Sequence, residues 1–116
     1  MKLLDKAAIL GADDLRTEDV PVEEWGGAVR VRTMTGAERD AFGKSMLGAD
    51  GKVDPANYRA KLLAKCIVGE DGKPLFSEAD IEAMNSKSNA AIERVFKAAD
   101  RLNSISEAAV EAAVKN

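Results

Sequence analysis

The sequence has no histidine and a single cysteine, Cys66, among its 116 residues. Without histidine, the usual zinc-ligand spacings and the Ser-His or Cys-His catalytic pairs cannot be built. The glycine-rich patterns that bind nucleotides are missing too, because neither Gly26-Gly27 nor the pair Gly48 and Gly51 matches them. We therefore expect no catalytic, metal-binding or cofactor-binding residues, and we predict that the protein is not an enzyme.

Long apolar runs are missing as well. No stretch approaches the roughly 20 apolar residues that a membrane helix needs, and Asp5 and Lys6 interrupt the N-terminal apolar residues before a secretory signal could form. The lone cysteine is better explained as a small core residue than as a reactive thiol, because no histidine can activate it. These absences favour a cytosolic protein without a membrane partner.

Aromatic residues are scarce, at 4% of the chain, whereas apolar residues of all kinds make up 46%. A chain of this length and composition supports one modest core built mainly from aliphatic side chains. We predict a single domain, residues 1–116, of the α+β class and mainly α: a small helical domain with one N-terminal β-hairpin.

The hairpin is predicted over about residues 18–34, where the hydrophobic period changes to two. A two-residue loop at Gly26-Gly27 would fix its register. The opposed pairs are then Val22 with Val31, Glu23 with Arg30, and Pro21 with Arg32. One face is apolar and the other carries complementary charges. Proline lacks an amide donor, which places the first strand at an edge of a sheet or in a two-stranded ribbon.

Helical spacing of apolar residues and capping signals predict the remaining elements. Helices are expected over about residues 2–10, 35–47, 55–68, 77–84 and 88–102, with a short C-terminal helix over about 105–115. Thr35 and Glu38 form a capping box that marks the start of the second helix. The helix over 88–102 has the most regular apolar face, which includes Val95.

Residues 67–84 share part of the EF-hand calcium-binding pattern, because Asp71, Gly72 and Glu78 stand at its fifth, sixth and last positions. The first and third positions, however, offer no side-chain oxygen. A turn at Asp71-Gly72, followed by a newly capped helix, accounts for more of the residues. We therefore interpret the stretch as a structural corner.

The net charge is −3, yet residues 25–65 carry more Lys and Arg than Asp and Glu. These basic residues are interleaved with acids over several elements, which is typical of a solvated surface rather than of a phosphate-binding stripe. The helices over 77–84 and 88–102 follow each other as in a helix-turn-helix, but the outer face of the second mixes both signs of charge. We therefore predict no nucleic-acid partner.

Three segments resemble the tail assembly chaperones of long-tailed, siphovirus-like bacteriophages. The first is ILGADDLRTEDVPVEEWGGAVRVRTMTGAERDAF, residues 9–42, in which acids precede V-x-V, then W-G-G, an alternating strand and a T-G-x-E-R-D helix start. The second is YRAKLLAKCIVGEDGKPLFSEADIEAM, residues 58–84, with its D-G-K-P-L-F-S turn, and the third is AAIERVFKAADRLNSIS, residues 90–106. Their order and spacing cover most of the chain.

The resemblance implies a non-enzymatic factor, encoded by a phage or prophage, that acts in the host bacterial cytoplasm. Its client would be the tape measure protein, which it keeps soluble until tail tube protein polymerises around it, and it would be absent from the mature virion. The alternative is a structural tail or head-tail connector component that stays in the virion. A small regulatory or DNA-binding protein directed at the host is a third reading.

Further partners are implied by the same resemblance. They are a second copy of the chain in a homo-oligomer and a longer form of it made by ribosomal frameshifting. Such frameshifts need a slippery A-rich run, and Val114-Lys115-Asn116 can be encoded by one (GTA AAA AAY).

Candidate partner-binding residues are apolar positions of the hairpin and the last two helices. They are Trp25, Val95, Val110 and Val114. For Trp25, beside the hairpin loop, two interpretations stand: a lid on the core, or an anchor for a partner.

Overall fold

The computed structural model describes residues 1–104. The helices are α1 (Lys6–Gly11), α2 (Gly36–Ser45), α3 (Tyr58–Cys66), α4 (Ile81–Met84) and α5 (Asn89–Asn103). The strands are β1 (Thr17–Val22), β2 (Gly27–Arg32) and β3 (Ile67–Val68), which form an antiparallel sheet in that order. The predicted α+β class with mainly helical content is confirmed. The helix predicted over about 105–115 lies outside the described residues.

The N-terminal hairpin is present, but its register differs from the predicted one. Val22 lies opposite Gly27, and Arg30 lies opposite Asp19 rather than Glu23. Arg30 Nε donates to Asp19 Oδ1 at 2.7 Å, so the charge pair on the outer face forms with a different acid. The prediction of a two-residue loop at Gly26-Gly27 is therefore wrong.

The connection is longer because residues 23–25 form a turn of 3₁₀ helix that ends at Gly26. Gly26 adopts the left-handed backbone conformation, with φ of 75°, which glycine reaches without the steric cost of a Cβ. Relative to the prediction, the partner strand slips by an even number of residues. Val22 and Val31 consequently still face the core, although they are not paired with each other.

Pro21 lies in β1 at an edge of the sheet, as its missing amide donor predicts. Its partner is Ala28 rather than Arg32, which instead lies opposite Thr17. The edge placement depends only on the covalent structure of proline, whereas the pairing depends on the length of the loop. The prediction that Pro21 lies at an edge of the sheet is therefore right, and the prediction that it pairs with Arg32 is wrong.

The third strand is missing from the sequence-based prediction, because Ile67 and Val68 continue the apolar spacing of α3. The chain leaves the helical conformation at Ile67, whose backbone is extended with φ of −76° and ψ of 124°. Ile67 then pairs with Val31, and Val68 pairs with Arg30. The helix predicted over about 55–68 therefore ends at Cys66, and its last two residues add an edge to the sheet.

One face of the sheet packs against α3 and α5 to form the core. Val20, Val22 and Val31 are buried on this face. The helices contribute most of the other buried side chains, among them Leu62, Leu63, Cys66, Ala91, Ile92, Val95 and Ala99. A small sheet needs such a second layer, because two or three strands alone cannot exclude water from their apolar face.

The helices differ from the prediction in where they begin and end. The capping box that opens α2 is confirmed, since Thr35 Oγ1 accepts from Glu38 N at 3.1 Å and Thr35 N donates to Glu38 Oε1 at 2.9 Å. The stretch predicted as one helix over 77–84 is divided into a 3₁₀ turn, Glu78–Asp80, and α4.

No helix within residues 1–104 is both long enough and apolar enough to cross a bilayer.

Arg32, at the end of β2, connects three parts of the fold. Its Nη2 donates to both carboxylate oxygens of Glu38 at 2.6 and 2.8 Å, and its Nη1 donates to Gly72 O at 2.8 Å. Its Nε donates to Thr33 O at 3.2 Å. The planar guanidinium can reach all of these acceptors at once because its donors are held in a fixed fork. Arg32 therefore fastens the hairpin both to the start of α2 and to the turn after β3.

Replacing Arg32 with lysine is expected to lower the free energy of unfolding by about 1–3 kcal/mol. A lysine ammonium cannot keep the contacts to Glu38 and Gly72 together. Chemical denaturation followed by circular dichroism measures the change. The matched control is Arg30→Lys, whose ion pair with Asp19 is exposed, so this substitution should lower the free energy of unfolding much less. If the two substitutions lower the free energy of unfolding equally, the contacts of Arg32 stabilise the fold no more than an exposed ion pair does.

Candidate functional site

The outer face of the sheet, opposite the core, forms one wall of an open groove of about 620 Å³. Asp19, Arg30 and Val68 alternate along their strands with core-facing residues. Their side chains therefore lie on the outer face and line the groove. The groove passes the edge strand β3 and reaches α4, where Ala83 and Met84 line it. It therefore lies on the face of the sheet that α3 and α5 leave uncovered.

Three large apolar side chains are partly exposed around the groove. Trp25 and Phe76 are each 37% exposed, and Leu75 is 60% exposed. The same groove is lined by the buried Val68 and Met84. A cluster of accessible apolar side chains over a buried apolar lining is typical of a surface that binds another molecule.

Trp25 is held at the tip of the hairpin by an ion pair to α5. It ends the 3₁₀ turn of residues 23–25, in which Glu24 accepts hydrogen bonds from Arg94 at 2.7 and 3.1 Å. These hydrogen bonds lower the pKa of the Glu24 carboxyl below its ordinary value, so the pair stays charged at neutral pH. The ion pair links the tip of the hairpin, next to Trp25, to α5.

Leu75 and Phe76 are positioned by a hydrogen-bonded corner after β3. Gly69 N donates to Lys73 O at 3.0 Å, and Lys73 N donates to Asp71 Oδ1 at 3.0 Å. A Cβ at Gly69 would lie 3.0 Å from Leu75 Cδ2, so the corner leaves little room for a side chain there. The carboxylate of Asp71 is engaged in the turn, and the stretch is the structural corner that its turn residues predict.

Charged side chains of both signs surround the apolar part of the groove. Asp19 and Arg30 form an ion pair with a separation of 2.7 Å, and the hydrogen bond from Arg30 lowers the pKa of the Asp19 carboxyl. Glu70, Asp80 and Lys87 also line the groove. Residues 1–104 contain no group of three or more side chains that could hold a metal ion. A mixed rim of this kind suits a partner that carries both signs of charge beside an apolar stripe.

The four residues predicted to bind a partner have different positions. Trp25 lies at the groove and is accessible. Val95 is fully buried, because the apolar face of α5 packs on the sheet, so the prediction that it contacts a partner is wrong. Val110 and Val114 lie outside the described residues.

Leu75 and Phe76 are the groove residues that sequence reasoning misses. They follow Pro74 in a turn, where neither a helical nor a strand period would bury them. Two consecutive large apolar residues in a turn are the one local signal that could have marked them.

The sequence profile of the phage tail assembly chaperone family matches residues 4–115. The chain belongs to this family. No curated protein matches it. Among solved structures, the fold is similar to that of the bacteriophage HK97 tail assembly chaperone, with a TM-score of 0.55 and 20% sequence identity over 79% of this chain and 88% of that one.

Membership of the phage tail assembly chaperone family confirms the resemblance that the three sequence segments indicate. It indicates a non-enzymatic role with phage tail proteins as partners. At 20% identity, the HK97 chaperone shows that the fold is shared. The matched residues 4–115 include every residue that lines the groove.

Cys66 has the environment of a core residue in this tail assembly chaperone. Its side chain is fully buried. Burial raises the pKa of the thiol from the ordinary value of 9.0 to about 12, with a smaller contribution from the negative charge of Glu38. Asn103 Nδ2, 3.5 Å from the sulfur, lowers the pKa but offsets only part of this shift. The thiol is therefore protonated, and so unreactive as a nucleophile, at neutral pH.

The free energy of unfolding should consequently fall at alkaline pH, because the Cys66 thiol ionises more readily in the unfolded chain. The thiol ionises near pH 9.0 in the unfolded chain and near pH 12 in the folded one, so its contribution is complete below pH 9.0 and is lost as the pH rises towards 12. Between neutral pH and about pH 10.5, the wild type should lose about 1–2 kcal/mol more unfolding free energy than Cys66→Ala. Denaturant titrations at each pH measure this difference. If the difference in unfolding free energy between the wild type and Cys66→Ala does not change with pH, the raised pKa of Cys66 is contradicted.

Proposed function

We propose that this tail assembly chaperone binds the tape measure protein through the groove and keeps it soluble until tail tube protein polymerises around it. It acts in the host bacterial cytoplasm and does not remain in the mature virion. Its mechanism is binding and shielding, with no covalent step. The observation that supports this proposal is the cluster of accessible apolar side chains at the groove of a tail assembly chaperone.

A long helical client explains why such a surface is useful. Exposed apolar stripes on a helix associate with one another in water, which leads to aggregation unless another surface covers them. A groove of about 620 Å³ is large enough to take a few large side chains, such as those at positions i, i+3, i+4 and i+7 of a helix. Trp25, Leu75 and Phe76 would provide the apolar contacts.

Trp25 acts in this proposal as an anchor for the partner rather than as a lid on the core. The side chain is partly exposed, and the buried cluster between the sheet, α3 and α5 forms without it. Tryptophan offers a large rigid contact area, and for this reason it is enriched among residues that dominate binding energies. Its removal should therefore weaken binding more than it destabilises the fold.

Trp25→Ala combined with Leu75→Ser is expected to weaken binding of the tape measure protein by about tenfold or more. The substitutions remove apolar contacts at the groove, whereas the core residues are unchanged. The measurement is the amount of soluble tape measure protein that co-purifies when the two proteins are co-expressed. Thermal unfolding of the purified variant, followed by circular dichroism, reports on folding in parallel.

Val53→Ser is the matched control, because Val53 is an exposed apolar residue that does not line the groove. It should leave co-purification unchanged. If the control reduces binding as much as the groove variant does, general surface hydrophobicity is responsible and the groove is not the client site. If Trp25→Ala alone fails to fold, Trp25 is a lid on the core and the anchor role is disproved.

A structural tail or head-tail connector component is the competing function. Purified phage particles distinguish the two, since a chaperone should be missing from them. Detection of this polypeptide in mature particles at a fixed copy number would contradict the proposed function.

Tail tube protein and a longer frameshifted form of this chain are proposed as further partners. The frameshift prediction concerns Val114-Lys115-Asn116, which lie outside the described residues. The gene sequence tests it directly: the codons GTA AAA AAY would support slippage at this point. An AAG codon for the lysine would contradict it.

A further inference from the structure

The N-terminal arm, residues 1–14, carries apolar side chains that the rest of the described chain does not cover. Leu3, Leu4, Ile9 and Leu10 are 94%, 62%, 57% and 77% exposed, and α1 has no buried residue. A helix of six residues is unstable in water through its own hydrogen bonds alone, so it depends on packing against another surface. The arm therefore needs a surface on which to pack.

The groove begins close to the point where the arm joins the domain. β1 starts at Thr17, and Asp19, two residues further along, lines the groove. Side chains two apart in a strand lie on the same face, so the chain enters β1 beside the outer face of the sheet. Trp25, Leu75 and Phe76 are accessible on that side. An uncovered apolar segment and an uncovered apolar groove are thus neighbours in one chain.

The arm is long enough to lie over the groove. Residues 12–15 are in neither helix nor strand and precede the hydrogen bonds that join Arg16 to Thr33, so the chain can turn back there. Beyond the turn, α1 spans about 9 Å, and residues 1–5 span up to about 16 Å when extended. β1, of six residues, is about 20 Å long. An arm that runs back along β1 therefore reaches from the open end of the hairpin to its tip.

Charge supports a contact between the arm and the groove but does not dominate it. The charged residues that line the groove are three acids and two bases: Asp19, Glu70, Asp80, Arg30 and Lys87. The first six residues of the arm carry Lys2 and Lys6 against one acid, Asp5. The arm thus brings an excess of positive charge to a rim with an excess of negative charge. The apolar side chains provide most of the contact.

We propose that the arm folds back over the groove of its own chain and covers Trp25 and Leu75 until a client displaces it. α1 then packs beside Leu75, and the residues before α1 lie against Trp25. In the structure the arm has the undocked arrangement, since none of residues 1–14 lines the groove. The covering does not depend on what the groove binds, and only the competition with the client rests on the proposed function.

Covalent attachment favours the chain's own arm over a second copy as the occupant. A short flexible connection holds a tethered segment at an effective concentration on the order of 1 mM. A second copy of the chain at micromolar concentration competes poorly with a segment held in this way. The covered groove also keeps the free chain from associating non-specifically through its accessible apolar side chains.

Trp25 is the only tryptophan of the chain and lines the groove, so its fluorescence reports on the covering. The measurement uses the full chain without an N-terminal tag and without client. Quenching of the Trp25 emission by acrylamide gives the accessibility of the indole. In the unaltered chain we expect weak quenching that is the same between about 1 μM and about 100 μM protein, because the contact is intramolecular.

Two arm variants should uncover the indole. One carries Leu3→Ser and Leu4→Ser, and the other carries Ile9→Ser and Leu10→Ser. Either variant should raise the quenching constant at least about twofold, because the population with a docked arm falls when its apolar contacts are lost. All four side chains are exposed, so the core is unchanged. Thermal unfolding followed by circular dichroism checks that both variants fold.

Leu47→Ser combined with Val53→Ser is the matched control, because both residues are exposed and lie outside the arm and the groove. This variant should be quenched like the unaltered chain. Equal quenching of the unaltered chain and both arm variants would overturn the proposal. Quenching that increases when the unaltered chain is diluted would also overturn it, because a second copy would then be what covers Trp25.

Co-purification of the tape measure protein separates the covering from the proposed function. If the groove is the client site, about threefold more soluble tape measure protein should co-purify with the arm variants, since no arm has to be displaced. If Trp25 is uncovered in these variants and co-purification does not change, the covering stands and the groove is not the client site. If co-purification falls, the arm is itself a client contact and its displacement by the client is disproved.

Discussion

The three-stranded sheet cannot bury both of its faces, and this constraint shapes the rest of the molecule. α3 and α5 cover the face that carries Val20, Val22 and Val31, because a small sheet is stable only when a second layer excludes water from it. The apolar stripes of both helices are used in this packing. The other face is left to short elements, and the groove forms there between Trp25 and the corner that presents Leu75.

Ion pairs fasten the hairpin where the core does not reach it. Arg94 binds Glu24 at the hairpin tip, and Arg101 binds Glu18 near its open end at 2.6 Å, so both ends of the hairpin are tied to α5. Exposed pairs of this kind contribute little to stability individually. They link the hairpin to α5 at positions outside the buried core.

Several ionisable side chains in the described part of the chain are buried or paired. The thiol of Cys66 is buried and protonated, and acids such as Asp19 and Glu24 are paired with arginines. Exposed large apolar side chains occur at the groove, in the first ten residues, and at Leu15, Leu47 and Val53.

The fold class, the buried face of the hairpin, the cap at Thr35 and the family could all be predicted from the residues, because they depend on periodicity, local hydrogen bonding and motif order. The sequence could not determine the hairpin register, since an even slip leaves every side chain on the same face. Nor could it show that Ile67 leaves its helix for the sheet, or that Val95 is buried while Leu75 is exposed. Sequence reveals how apolar a side chain is, whereas only the tertiary structure decides which surface covers it, through contacts between residues far apart in the chain.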